Sequence, residues 1–279
     1  MNGKSTCLLS LVVTLSFIAI PARAAGEEQS AGPRKRAVFV PGHQSHGWSV
    51  HAYTADCKLL ARILNENAPQ IEATVLEGGW PKDLKAFEGA AAIVIACDGN
   101  SLLGPESNWK ALDDLARTGV GLAFLHYSLD PGDEGGHYLL DWIGGYYKQN
   151  WSVNPSWLAQ FKTLPEHPIT RGVRPFRIHD EWYYHMQFRP NMEGVTPILT
   201  AVPPDGTRNG PDGPHSGNPA VRARKGMAEH VAWAYERPDG GRGFGCTGGH
   251  THWVYAQNDF RKLMLNAVCW IAKVEVPAS

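Results

Sequence analysis

The sequence has no surplus of either charge. Among its 279 residues Lys plus Arg number 26 and Asp plus Glu 27, a formal net charge of −1. No basic excess exists to neutralise a phosphate backbone, which excludes general nucleic-acid binding. Past the N-terminus no apolar run approaches the ~20 residues of a membrane-spanning helix. There is no G-x-S-x-G turn of the serine-hydrolase type and no G-x-x-x-x-G-K-[ST] phosphate loop. The turn Pro41-Gly42-His43-Gln44-Ser45-His46 is not G-x-G-x-x-G, so no nucleotide cofactor is expected. Cysteines number five, with no close pair of the metal-knuckle kind. Charged residues make up 19% and hydrophobic ones 43%, enough apolar material for one large domain, which excludes a disordered chain and a small disulfide-stapled scaffold. What is abundant is histidine, with 12, and tryptophan, with 10. Histidines without a charge imbalance point to metal or acid–base chemistry. Tryptophans point to a large core or to flat platforms for sugar rings.

The first residues read as a targeting segment. Lys4 gives a positive start, Cys7 to Ile20 is a nearly unbroken apolar run, and Ala22-Arg23-Ala24 has the small-x-small pattern of a signal-peptidase site. The expectation is a signal peptide over residues 1–24 and an exported protein, periplasmic or extracellular, with no membrane span after cleavage. Loss of Lys4 and Arg23 leaves 24 basic against 27 acidic residues, a charge of −3. Residues 25–35 read as a flexible leader and 36–277 as a single domain. Cys57, Cys97, Cys246 and Cys269 remain. All four sit in or end apolar helix-like or strand-like patterns, so buried free thiols are expected over disulfides.

Strand and helix patterns alternate. Ala37 to Val40, Ile71 to Leu76, Ala90 to Ala96 and Gly119 to Leu125 read as strands, the third apolar throughout, as in a sheet covered on both faces. Residues 51–66 and 109–117 read as helices between them. Glu229 to Tyr235 and Gly243 to Thr247 read as closing strands, and residues 259–272 as a last amphipathic helix capped by Asn258. The pattern predicts an α/β fold, a doubly wound, mostly parallel sheet with helices on both faces. Residues 130–190 are rich in aromatics and turns. Pro203 to Pro219 holds five Pro and four Gly and reads as a long loop.

In such a sheet ligands bind beyond the carboxyl ends of the strands. Those ends carry His46, Trp48 and His51 after the first strand, Asp98 after the third, His126 and Tyr127 after the fourth, and His250, His252 and Trp253 after the last. His250 and His252 form an H-x-H pair. In an extended segment both rings share one face, which suits two ligands of a divalent, zinc-like ion, with His46, His126 and Glu181 as completions. A metal-free site with one His as general base is the alternative. The segment His179 to Met186 adds Glu181, Trp182, Tyr183 and His185, combining acid–base groups with rings that stack on a pyranose. The expected acid–base residues are His126, Glu181, His185 and His51. The expected substrate contacts are Trp48, Asp98, Tyr127, Trp182, Tyr183 and Trp253. The expected metal ligands are His46, His250 and His252. Trp142, Trp233 and Trp270 read as core.

An ordered set of stretches resembles the trehalose-utilisation, or ThuA-like, family: Ser45-His46-Gly47 with His51, Gly78-Gly79-Trp80-Pro81, Leu125-His126-Tyr127 and Asp141-Trp142-Ile143-Gly144-Gly145. His167 to Gly172, Asp180 to Tyr184, Thr247-Gly248-Gly249-His250 and Asp259 to Lys262 continue it, so the resemblance covers about residues 36 to 277. It implies a flavodoxin-like fold of the class I glutamine amidotransferase-like superfamily, with long aromatic-rich insertions. It also implies that His126 stands where that superfamily has its nucleophilic Cys, so the amidotransferase reaction is not expected. The implied substrate is a small-molecule carbohydrate, such as a 3-keto-glycoside, whose acidified C–H a positioned Glu or His removes, leading to elimination, hydrolysis or isomerisation. A non-catalytic carbohydrate-binding or scaffold protein and a zinc hydrolase of unrelated substrate are the other readings. An exposed aromatic surface serves a homo-oligomer as readily as a ligand.

Overall fold

The computed structural model describes residues 33–277, together with positions 1 and 3; the expected signal peptide lies outside the described residues. The chain runs through β1 (Lys35–Pro41), α1 (Tyr53–Asn67), β2 (Ile71–Val75), β3 (Ala90–Ala96), α2 (Glu106–Arg117), β4 (Gly121–Leu125) and α3 (Gly132–Ile143). It continues with β5 (Gly145–Tyr146), β6 (Ser156–Phe161), β7 (Phe176–Glu181), β8 (Gln187–Phe188), β9 (Val195–Ala201), the single turn α4 (Pro219–Arg222), β10 (Glu229–Glu236), β11 (Arg242–Cys246) and α5 (Asn258–Ile271).

Seven strands form the main sheet in the order β2-β1-β3-β4-β11-β10-β9. The first five are mutually parallel; β10 pairs antiparallel with β11, and β9 antiparallel with β10. Alternation sets the layers. Ala37 and Phe39 of β1 pack into a core with α1, α5 and the β6–β7 hairpin, while Val38 and Val40 pack into a second core with α2 and α3. Strand order reverses between β1, whose next strand lies on one side, and β3, which lies on the other. That reversal opens the crevice where ligands bind in doubly wound sheets.

Several boundaries differ from the sequence reading for local reasons. α1 starts at Tyr53, because His51 has a left-handed φ of 45°. α2 starts a turn earlier than expected, directly after Pro105, whose fixed φ suits a helix start. The cap of α5 is Gln257, whose side chain accepts from the Phe260 amide at 2.8 Å, not Asn258. Residues 130–190, read as rich in aromatics and turns with no element assigned, hold a helix, α3, and the β6–β7 hairpin. Trp142, Trp233 and Trp270 are buried. The four cysteines of the described residues are free and buried. No helix of the described residues is long and apolar enough to cross a membrane.

Candidate active site

Four strand-associated segments converge on one small cluster. His126 follows β4 directly, His51 precedes α1, Glu181 ends β7, and His250 follows β11. The loops bearing His51 and His250 are stitched together. The His51 amide donates to the His250 carbonyl at 2.9 Å, Val50 bridges Thr251, and the His252 amide donates to the Ser49 carbonyl at 2.8 Å. Asp180, buried at the end of β7, accepts from the Gly249 and His250 amides at 2.6 and 3.2 Å and fixes the height of the second loop. Gly248 is required there, because a Cβ would stand 2.5 Å from the ring of Trp182.

The inner geometry is tight. His51 Nε2 lies 3.1 Å from His126 Nε2 and 3.1 Å from His250 Nδ1, and the last two lie 3.2 Å apart. Glu181 Oε2 is 3.1 Å from His250 Nδ1 and 3.5 Å from His126 Nε2. The outer nitrogens fix the tautomers. His126 Nδ1 donates to the Thr247 carbonyl at 2.8 Å. His51 Nδ1 lies 2.8 Å from both Asp98 Oδ1 and Ser45 Oγ, and Asp98 also accepts from the Tyr53 hydroxyl at 2.5 Å. With both Nδ1 protons so committed, the neutral rings turn lone pairs inward from both Nε2 atoms. The inner protons on offer are one on His250 Nδ1 and that of the Tyr183 hydroxyl, 3.2 Å from His126 Nε2.

Burial drives the electrostatics. It lowers the His51 pKa to about 4, with Asp98 opposing and His250 and His46 assisting. It pushes His126 well below the usual histidine value, against the pull of the Thr247 carbonyl. His250 also pays for burial, but its bond to Glu181 and that carboxylate's charge outweigh the loss and raise it. The backbone is strained at the same places: His51 and His126 have φ of 45° and 53°, outliers that cluster at functional sites. His46, His51, Tyr127, Asn154, Glu181, Tyr183, His215 and His250 line a pocket of about 210 Å³. That is below the ~300–1,000 Å³ of drug-sized ligand pockets and suits one small polar ring.

Of the expected metal ligands, His250 joins the cluster. His46 is exposed at the pocket mouth, its ring 4.2 Å from that of His51. His252 does not join. The chain enters a 3-10 turn at His252, so the H-x-H segment is not a continuous strand, and His252 Nδ1 bonds Asp56 of α1 instead. Burial raises Asp56 to about 6 despite that bond. Among the expected acid–base residues, His51, His126 and Glu181 converge and His185 does not. Its Nδ1 bonds the Trp151 carbonyl at 2.9 Å and its ring stacks on Trp151. Trp182 is fully buried against Phe161 and Phe260 and offers no face to a ligand. Asp98 serves the histidine ring behind the pocket. Tyr127 and Tyr183 line the pocket, and Trp48 and Trp253 form an exposed pair with ring centroids 5.7 Å apart. Sequence reasoning missed Asn154 and His215, which lie in turns with no periodic signal, and Thr247, which acts through its carbonyl.

A family model described as trehalose utilisation, ThuA, matches residues 37–271. Among solved structures, a ThuA-like protein from Bacteroides uniformis superposes with a TM-score of 0.58 at 15% identity, over 90% of this chain and 95% of that one. A ThuA-like protein from Parabacteroides merdae gives 0.58 at 15%, over 88% and 92%. Both likenesses concern the fold. No curated protein matches the chain.

Proposed function

The chain belongs to the trehalose-utilisation (ThuA) family, with its flavodoxin-like, glutamine amidotransferase-like fold, and from that premise we propose an exported carbohydrate-active enzyme that uses a divalent metal ion. The export part rests on the sequence of residues 1–24. The observation that carries the rest is the cluster of His51, His126, Glu181 and His250, whose ligand atoms all lie within 4.8 Å of one another. Around a tetrahedral zinc, ligands at ~2.0–2.1 Å stand about 3.3 Å apart, close to the 3.1–3.2 Å between the three ring nitrogens. Asp98 and the Thr247 carbonyl behind two of the rings are the outer partners that metal-binding histidines characteristically have. His51, His126 and His250 would hold the ion.

When bound, such an ion supplies Lewis acidity to a substrate carbonyl and its enediolate. Glu181 stands on the pocket side, half-satisfied by Asn154 Nδ2 at 3.4 Å, and is the proton acceptor. In a 3-keto-glycoside it would take the proton from C2. The electron pair would pass to the C3 oxygen and then form the C1–C2 double bond as the aglycone leaves. Trp48 and Trp253 offer a stacking surface on the loops that carry His46 and His250. Glutamine hydrolysis is not part of this reading. His126 follows the central strand where a nucleophilic Cys would be needed, and burial pushes the Cys97 and Cys246 thiols up to about 12.

The test is elemental analysis of the purified protein together with a product screen on glucosides and 3-keto-glucosides, with and without chelator. About one equivalent of divalent metal is expected, lost in His51→Ala and His126→Ala. Product from 3-keto-glucosides is expected, abolished by chelator and by Glu181→Gln. A metal-free protein that binds sugars without converting them would overturn the proposal.

A further inference from the structure

The pocket has a second titratable wall that the cluster does not use. His215 lines it, and comes from the Pro- and Gly-rich segment between β9 and α4. That segment is built in, not draped over the surface. Gly213 and Gly217 bridge across its tip. The Asn150 amide donates to the Pro214 carbonyl at 3.1 Å and the Asn154 amide to the His215 carbonyl at 3.2 Å. Asn218 Nδ2 donates to the Trp151 carbonyl at 2.8 Å. These bonds seat His215 beside Asn154, the residue that also reaches Glu181.

The His215 ring is positioned from behind. It stacks on Tyr147, with centroids 5.5 Å apart. Its Nδ1 lies 3.2 Å from the Tyr147 hydroxyl, which itself donates to the Ser152 carbonyl at 2.8 Å. The Asp130 carboxylate, buried, lies 3.9 Å from the same nitrogen and accepts from Gln149 Nε2 at 3.1 and 3.3 Å. With Nδ1 occupied on this side, Nε2 is the nitrogen left for a substrate. The Asp130 carboxylate stands behind the ring as a counter-charge for the doubly protonated form that a proton donor at Nε2 requires.

We propose that His215 is a catalytic general acid, delivering the proton that the departing aglycone oxygen requires. This rests on the elimination reading above. Balance demands a second group there. When C2–H goes to Glu181 and the C1–O bond breaks with its electron pair on the aglycone oxygen, that oxygen needs a proton. Glu181 is engaged with the proton from C2. His215 Nε2–H supplies it, and the alcohol and a 2-hydroxy-3-keto-glycal leave with no change in net protonation of substrate plus enzyme. The buried rings of His51 and His126 cannot serve, since their inner nitrogens carry lone pairs.

The experiment compares 4-nitrophenyl and methyl 3-keto-glucosides of one anomeric form in wild type, His215→Gln and His215→Ala, each checked for metal content. A nitrophenolate leaves without a proton and a methoxide does not. His215→Gln is therefore expected to slow the methyl glycoside by about 10²–10⁴-fold, the span of general acid catalysis, and the nitrophenyl glycoside far less. Added imidazole is expected to restore methyl glycoside turnover in His215→Ala. Equal losses on both glycosides, or none, would overturn the assignment and leave His215 a structural residue. Silence of the wild type on both would overturn the elimination reading itself, and this role with it.

Discussion

At the scale of the residue, the site depends on groups that never touch a ligand. Asp98 is the clearest. It takes the His51 Nδ1 proton at 2.8 Å, which turns the Nε2 lone pair into the cluster and sets the ring plane. Both His51 and Tyr53 bond the same oxygen, Oδ1, so an amide in its place can keep the contacts but removes the negative charge behind the ring. Asp98→Asn should weaken metal binding by about 10–100-fold, the usual cost of losing such an outer partner. Chelator competition reads this directly. His252→Ala is the matching control: its ring bonds Asp56, so metal affinity should stay within twofold of wild type. A loss in His252→Ala as large as in Asp98→Asn would restore the H-x-H pair as ligands and refute the cluster.

At the scale of the element, propensity and packing pull in opposite directions in α3. Gly132, Gly135 and Gly136 lie in its first turns, and glycine costs a helix roughly 1 kcal/mol relative to Ala. That is why residues 132–143 carry no clear helical signal in the sequence. The structure gives the reason the glycines are there. A Cβ on Gly135 would stand 2.5 Å from both Pro131 and the Trp109 ring, and one on Gly136 would stand 2.7 Å from the Tyr146 ring. Gly135→Ala should therefore destabilise the protein, by about 1–3 kcal/mol as overpacking does, instead of stabilising it as helix propensity alone would. Urea unfolding gives the sign, and a gain in stability would show that the contact relaxes freely. The same opposition explains what was legible. β1, β3, β4 and α5 follow apolar periodicity, and packing agrees with it, so they could be read. His51 and His126 were legible because strand ends in a parallel sheet face one edge. His252 was misplaced because period-2 alternation was carried past the point where the backbone leaves the strand, and Trp182 because nearness to histidine-bearing segments does not tell which face of the chain its ring takes. His215 was not legible at all, since its place depends on the Asn150 and Asn154 amides that donate to the Pro214 and His215 carbonyls of its loop.

At the scale of the whole molecule, the pocket is shared between the parallel sheet and the additions at its antiparallel edge. The sheet supplies His51, His126 and His250, while the additions supply Glu181, Asn154 and His215. The two parts must hold register to within a fraction of an ångström for the cluster to form. One fastening is a buried ion-pair network. Arg208, fully buried, donates through Nη1 to Glu229 Oε1 of β10 at 2.8 Å and through Nη2 to the Met227 carbonyl at 2.6 Å, and it lies over the Tyr184 ring at 5.0 Å. Arg224 reaches the same carboxylate oxygen at 2.8 Å. Thr207, beside Arg208, bonds the Tyr184 hydroxyl at 2.9 Å, which ties the loop to the segment following Glu181. Removing the carboxylate charge leaves a buried guanidinium without its counter-ion, and losses of this kind cost about 3–5 kcal/mol. Glu229→Gln should show that loss in urea unfolding. Because the three histidines sit on the sheet, the metal content proposed for the wild type should persist while His215 loses its seat. Turnover of the methyl 3-keto-glucoside should then fall more than that of the nitrophenyl one. Metal loss in parallel with stability would mean instead that the network holds the sheet itself.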